Sequence, residues 1–363
     1  MKILNYLLMC FVGACACPSV LVADEIGRKE QFASKNATKS IVVEGWSITE
    51  GDHGVTIMVD GKLFASYVVD DVNKPYLWPV VGPTGKQMTR AFPMQKVPGE
   101  SSVQRDHPHH RGITFGHESI VGPDQSGGDS WHEWITFGGL RQGPGNNPDS
   151  DQRIATIASI KHLAFTEMEA NADHAVVSEI CDYVDPKGKR FLSEERRMTF
   201  RAQGDSRSID IDQVFTACDG EVCFADRKDA GLSIRVPVGM AIDSGQGGRV
   251  INSEGEVDND TWSRAAKWCD YHGIVDGEHL GIAFLNHPSS YRFPTRWHVR
   301  SYGLFAANPF AMQSYDPTLP DGTTTLQPGE KLKLSHRIIF HIGDASAAGI
   351  EKAWQEYAKT AKD

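Results

Sequence analysis

The chain has 363 residues, of which 40% are hydrophobic and 23% charged, with a formal net charge of -10 at pH 7. It is long enough for one large or two ordinary globular domains and too apolar to remain disordered. Its acidic balance, with an isoelectric point near 5.8, leaves no basic footprint for nucleic acid or an anionic membrane surface.

The first 23 residues place Lys2 before an apolar run and end on Leu21-Val22-Ala23. This is the pattern of a secretory signal peptide, so residues 1–23 are expected to be removed and residues 24–363 to form a single exported domain, periplasmic or extracellular. Val12-Gly13-Ala14-Cys15 also fits a lipobox, which leaves a lipid anchor at Cys15 as an alternative. No later stretch approaches the ~18 apolar residues of a membrane helix. Cys181, Cys218, Cys223 and Cys269 remain after the leader and lack a metal-binding spacing. In an exported protein they permit up to two disulfides, or four buried thiols. Asn36-Ala37-Thr38 is a glycosylation sequon, relevant only to a eukaryotic source.

Residues 40–70 read as strands, with Asp60-Gly61 between two apolar runs as a hairpin turn. Proline and glycine punctuate residues 74–85 and lead into a polar stretch, and residues 138–152 form turns throughout. A strand is expected from Ile154 to Ile160. Ala175–Val184, Phe191–Ala202 and Ser208–Ala217 alternate apolar and polar residues, the signature of an antiparallel meander. Further strands follow at Gly231–Val236, Gly281–Leu285 and Leu332–Ile342, and only Ala347–Ala361 carries a helical stripe, through Ile350, Trp354 and Tyr357. The expected fold is all-β: a large antiparallel sandwich with one C-terminal helix.

Five of the fourteen histidines fall between Arg105 and Trp134: His107, His109, His110, His117 and His132. Asp106, Arg111, Glu118, Asp129, Trp131 and Glu133 accompany them. Imidazoles and carboxylates are costly to bury unless paired, so this density marks a polar cleft for proton transfer, metal binding or recognition of a hydroxyl-rich ligand. An extended backbone would put His107 and His109 on one side. With His117 or Asp129 they would make a set for a divalent metal. Without metal the same histidines can act as acid and base beside Arg111, or can simply hydrogen-bond the backbone.

A second constellation runs from Arg296 to Tyr302. As one strand it aligns Arg296, His298, Arg300 and Tyr302 on one face and Trp297 on the other, with Asn308 close behind. Such residues suit a groove that hydrogen-bonds and stacks on a sugar, or a solvated sheet face. There is no G-x-S-x-G nucleophile motif, and G-Q-G-G at 245–248 lacks the context of a phosphate loop.

The segments D-H-P-H-H-R-G at 106–112, G-L-S-I-R-V-P at 231–237 and H-P-S-S with P-T-R-W-H-V-R-S-Y-G-L-F-A-A-N-P-F at 287–310 resemble a family of exported bacterial proteins labelled PmoA-like. The resemblance implies work on carbohydrates. The methane-oxygenase activity in that label conflicts with a chain that has no spanning segment after its leader. The run L-Q-P-G-E-K-L-K-L-S-H-R-I-I-F-H-I-G-D at 326–344 is also similar to the closing strands of galactose mutarotase-like super-sandwich proteins, which bind sugars.

The expected function is therefore an exported protein acting on a saccharide by hydrolysis, elimination or epimerisation, alternatively a non-catalytic glycan-binding module. Candidate catalytic residues are His107, His109, His110, Arg111, His117, Asp129, His298 and Arg300. Candidate substrate contacts are Trp131, Glu133, Arg296, Trp297, Tyr302 and Asn308, and candidate metal ligands are His107, His109, His117 and Asp129. If the two stretches form one site, they should meet on one surface.

Overall fold

The computed structural model describes residues 39–98, 104–138 and 149–362. The leader, the Cys15 lipobox, the sequon at Asn36 and residues 139–148 of the turn-rich segment expected at 138–152 lie outside the described residues.

Two large antiparallel sheets face each other. In spatial order the nine-stranded sheet runs Ser40–Val43, Trp46–Gly51, Gly54–Val59, Lys62–Val68, Tyr76–Val80, Ile113–His117, Ala230–Arg235, Leu304–Asn308 and Arg296–Val299. The eight-stranded sheet runs Arg249–Asn252, Trp268–Val275, Glu278–Asn286, Lys331–Ile342, Ser206–Thr216, Arg190–Gln203, His174–Val184 and Ser159–Ala170. A small four-stranded sheet contains Ile120–Val121 and Gly127–Gly128.

The hairpin at Asp60-Gly61 forms because both residues adopt positive φ, 51° and 69°, as a type I′ turn requires. The meander has the expected pairings, His174–Val184 with Arg190–Gln203 and Arg190–Gln203 with Ser206–Thr216. Every second side chain of each sheet turns inward, and aromatic pairs bridge the layers: Phe64 to Phe200 at 5.5 Å, Phe115 to Phe215 at 4.9 Å and Phe284 to Trp297 at 5.2 Å between ring centroids. This continuous apolar layer is the main source of stability.

Two expectations change, and one open alternative is decided. Asp149–Ile154 is helical, and its neighbouring strand begins only at Ser159. The C-terminal helix is shorter, Ile350–Tyr357, because Gly349 takes the left-handed conformation immediately before it. Its buried Ile350 and Tyr357 pack with Leu285 and Ile339 on the outer face of the eight-stranded sheet. The four cysteines from Cys181 to Cys269 form no disulfide. No helix among the described residues is long and apolar enough to cross a membrane.

Candidate active site

The polar stretch enters the nine-stranded sheet through Gly112, whose φ is 44° and where a Cβ would lie 2.0 Å from the Leu77 carbonyl oxygen. Only glycine fits there. In the strand Ile113–His117, Ile113 and Phe115 then face the core. Thr114 and Gly116 turn to the outer face, where a Cβ at Gly116 would sit 2.8 Å from the Trp131 Cα. That bare position lets residues 129–133 cross the sheet, so that Trp131 packs on Leu304 and Ala306. The outer face is thereby roofed by the chain that carries the histidines.

Residues 107–110 are not extended. His107 has φ 43°, and the backbone N–H of His110 donates to its carbonyl at 3.1 Å, closing a turn. The expected parity of His107 and His109 is lost, and His107 stacks instead on His110, with centroids 4.9 Å apart and planes within 5°. The rings continue as a row: His110 to His109 at 4.3 Å, then His109 to His132 at 4.6 Å. His107 also stacks on Tyr302 at 4.8 Å, Tyr302 lies 6.3 Å from His110, and Arg300 lies over the tyrosine ring at 5.6 Å. The two polar stretches thus meet at Tyr302.

A carboxylate backs each end of the row. His107 Nδ1 donates to Asp106 at 2.5 Å, and His132 Nδ1 donates to Asp129 at 2.8 Å. Carboxylates only accept, so each ring carries a proton on Nδ1, which leaves Nε2 as the atom free to exchange a proton. Asp106 is also held by Arg90 at 2.7 Å and Arg235 at 2.6 Å. Burial would raise its carboxyl, but the His107 bond and the Arg235 and Arg90 charges hold it at about 2. Asp129 accepts the backbone N–H groups of Trp131 and His132 at 3.0 and 2.9 Å, which fixes its orientation.

The two central imidazoles are neutral. Burial first, then His132 and Lys74, pushes His109 well below its ordinary range, and its Nδ1 meets the Thr136 hydroxyl at 3.0 Å. Burial, His109 and Arg235 do the same to His110. Arg235 approaches His110 Nδ1 at 3.2 Å, and a guanidinium can only donate, so His110 carries its proton on Nε2.

Arg111 and Glu133 form a clamp rather than a reactive pair. Arg111 Nε donates to Glu133 Oε1 at 2.9 Å and Nη2 to Oε2 at 3.0 Å, while buried Lys74 stands 3.5 Å from Oε1. Arg111 also reaches Asp71 at 3.1 Å. Of the other carboxylates of the stretch, Glu118 pairs with Arg153 at 3.2 Å and Asp124 with Lys189 at 2.8 Å.

Several sequence candidates belong elsewhere. His117 follows Ile113 and Phe115 onto the core side, edge-on to Phe224 and Phe310 at 5.6 and 5.0 Å. Its Nδ1 accepts the Ser119 N–H at 3.0 Å, and burial pushes it down to about 3, so it is a neutral core residue. With Asp129 committed to His132, the proposed metal set of His107, His109, His117 and Asp129 does not converge. Among the described residues no group of three His, Cys, Asp or Glu side chains is placed to hold a metal ion. Trp297 is fully buried, packs on Phe284 and donates to the Ala266 carbonyl at 3.0 Å, so it contacts the core and not a ligand.

The strand from Arg296 ends at Val299, where Arg300 to Gly303 form a hairpin turn with Gly303 at φ 95°. His298 is buried on the outer face, its Nδ1 donating to the Lys228 carbonyl at 2.7 Å. Asn308 donates to the Arg227 and Lys228 carbonyls at 3.0 Å and accepts from the Phe310 N–H at 2.9 Å, a purely structural set. Arg296 bonds the Ser263 carbonyl at 2.7 Å. None of these three joins the imidazole row. A cavity of about 650 Å³ alongside, lined by Glu118, Asp129, Arg153 and Arg227 among others, shares only Asp129 with that row.

His132, Asp106, Arg90 and Arg235 complete the site without having been singled out as its candidates. For Arg235 a signal existed: the period of two in Gly231–Val236 sets it opposite apolar Leu232 and Ile234.

A family profile matches residues 54–355, most of the chain. The chain belongs to a family of unknown function, DUF6807. Membership brings no activity with it, and the match does not carry the methane-oxygenase label of the resemblance. No curated protein matches the chain. Among solved structures it is similar to an α-galactosidase of Geobacillus stearothermophilus solved with raffinose, at 10% identity and TM-score 0.38, over 85% of this chain and 41% of that one. The chain therefore spans about two-fifths of that enzyme's length. It is also similar to a galactose mutarotase-like protein from Lactobacillus casei, at 9% identity and TM-score 0.36, over 84% of this chain and 100% of that one. A heparan sulfate lyase from Pedobacter heparinus shows 9% identity and TM-score 0.32, over 89% and 43%. At these scores the likenesses transfer no activity.

Proposed function

We propose that this DUF6807 protein is an exported, single-domain enzyme that moves protons on a saccharide, by epimerisation or elimination, at the row His107–His110–His109–His132. One observation carries the reading: two carboxylate-backed histidines, His107 on Asp106 and His132 on Asp129, bracket two neutral ones. In this arrangement His132 Nε2 is the base that receives a substrate proton, and Asp129 stabilises the imidazolium that results. His107 in its imidazolium form, which Asp106 stabilises, is placed to return a proton from Nε2 at the other end. Exposed His107 stacked on half-buried Tyr302, with Arg300 beside it, supplies a flat face and donors of the kind sugar rings use.

Hydrolysis fits less well. It needs two available carboxylates about 5 to 10 Å apart, whereas Asp106, Asp129 and Glu133 are each occupied by arginine, lysine, histidine or backbone donors. The test is a screen of plant and algal oligosaccharides with analysis of products, comparing the wild type with His132→Gln. Turnover that disappears in the variant supports the reading.

A second reading, a glycan-binding module without chemistry, is favoured by one observation: Trp134 is 58% exposed beside Glu133, as a stacking platform would be. It predicts binding that depends on Trp134 and Tyr302 and survives His132→Gln.

A further inference from the structure

The outer face of the eight-stranded sheet carries a groove of about 390 Å³ that the imidazole row does not touch. The two lie on opposite sides of the core. Three adjacent strands build the groove floor, Arg190–Gln203, Ser206–Thr216 and Lys331–Ile342, and residues 360–362 form one wall. Its lining has five cationic side chains, Arg197, Arg201, Lys333, Arg337 and Lys362, against two carboxylates, Asp210 and Asp212. In a chain of net charge -10 such a local excess of positive charge is unusual.

Arg197 is held by Glu167 from outside the lining, at 3.0 and 3.2 Å, and the two aspartates do not consume the charge of the other four cations. Asp210 is bonded by Arg337 at 2.5 and 2.9 Å and by one nitrogen of Arg201 at 2.8 Å. Asp212 Oδ2 takes Lys362 at 2.9 Å, but its Oδ1 is buried and has no hydrogen-bond partner. Lys333 is exposed, with no ion-pair partner among the described residues. The groove thus offers cations with capacity to spare and one carboxylate oxygen that needs a donor.

From this set we infer that the groove binds an acidic saccharide, a sugar chain bearing carboxylates or sulfates, whose anionic groups meet Lys333 at one end and Arg201 at the other while a hydroxyl between them donates to Asp212 Oδ1. The two aspartates repel a dense polyanion such as a phosphodiester chain. The volume suits one or two sugar rings. The inference stands on the groove's own chemistry and not on the imidazole row.

The test is titration calorimetry of the whole protein with a galacturonate oligosaccharide, a sulfated oligosaccharide and a neutral oligosaccharide of equal length. One acidic ligand binds, the neutral one binds at least tenfold more weakly, and the affinity falls as salt rises. Lys333→Glu weakens the acidic ligand at least tenfold while its thermal midpoint stays at the wild-type value, and His132→Gln leaves that affinity unchanged. Whether carboxylate or sulfate binds names the ligand. Equal affinity for acidic and neutral ligands, no binding of either acidic ligand, no effect of Lys333→Glu, or loss of binding in His132→Gln would each overturn the assignment.

Discussion

Asp129 accepts the Nδ1–H of His132 at 2.8 Å on one oxygen and two backbone N–H groups at 2.9 and 3.0 Å on the other. The carboxylate is fixed before it meets the ring, so it dictates both the tautomer and the direction of Nε2. Asp129→Asn keeps the shape but can present its amide to the ring and reverse the tautomer. We expect turnover to fall by roughly two to four orders of magnitude, the range of a general base, with saccharide binding retained. Steady-state rates on the substrate found by screening check this; a loss confined to KM would contradict it.

Stability should fall with acid, for reasons separate from the site. Burial, the largest cause in each case, pushes His117 and His336 down to about 3 and His298 to about 4. In the unfolded chain a histidine takes up its proton near 6.5, so below that pH the unfolded state binds more protons than the folded state. The stabilisation is complete above the unfolded value and is lost as pH drops toward 4. Each group contributes up to about 1.4 kcal/mol per pH unit in that window. Urea unfolding between pH 7 and 4 should show the slope, and His336→Phe should lessen it by the share of one group. A flat profile would refute the assignment of neutral buried imidazoles.

Glu133 neutralises two buried cations, Arg111 and Lys74. Glu133→Gln should cost about 3–5 kcal/mol, as breaking a buried pair does, because Lys74 loses its carboxylate and Arg111 keeps only Asp71, in a place water does not reach. Chemical denaturation checks this, and a change under about 1 kcal/mol would place the pair with surface ion pairs.

The fold was legible where local rules suffice. Asp60-Gly61 and the meander from His174 to Thr216 follow from turn residues and period-two alternation. The site was legible as a stretch but not as an arrangement. His117 was misread although its parity with Ile113 and Phe115 already assigned it to the core face. The parity of Arg300 and Tyr302 failed because Gly303 turns the chain after Val299. Tyr302 nevertheless reached the site, through that turn. No local signal pairs His107 with His110 or His132 with His109, since those contacts depend on a positive φ at His107 and on a crossing chain that only Gly116 admits.

The central claim is proton transfer at the imidazole row, and nuclear magnetic resonance of products from an oligosaccharide panel tests it most directly. The account predicts an epimerised or unsaturated sugar ring from at least one substrate, formed by the wild type and absent with folded His132→Gln. Products that are only shorter, saturated oligosaccharides, or no turnover of any glycan by the folded wild type, would contradict it.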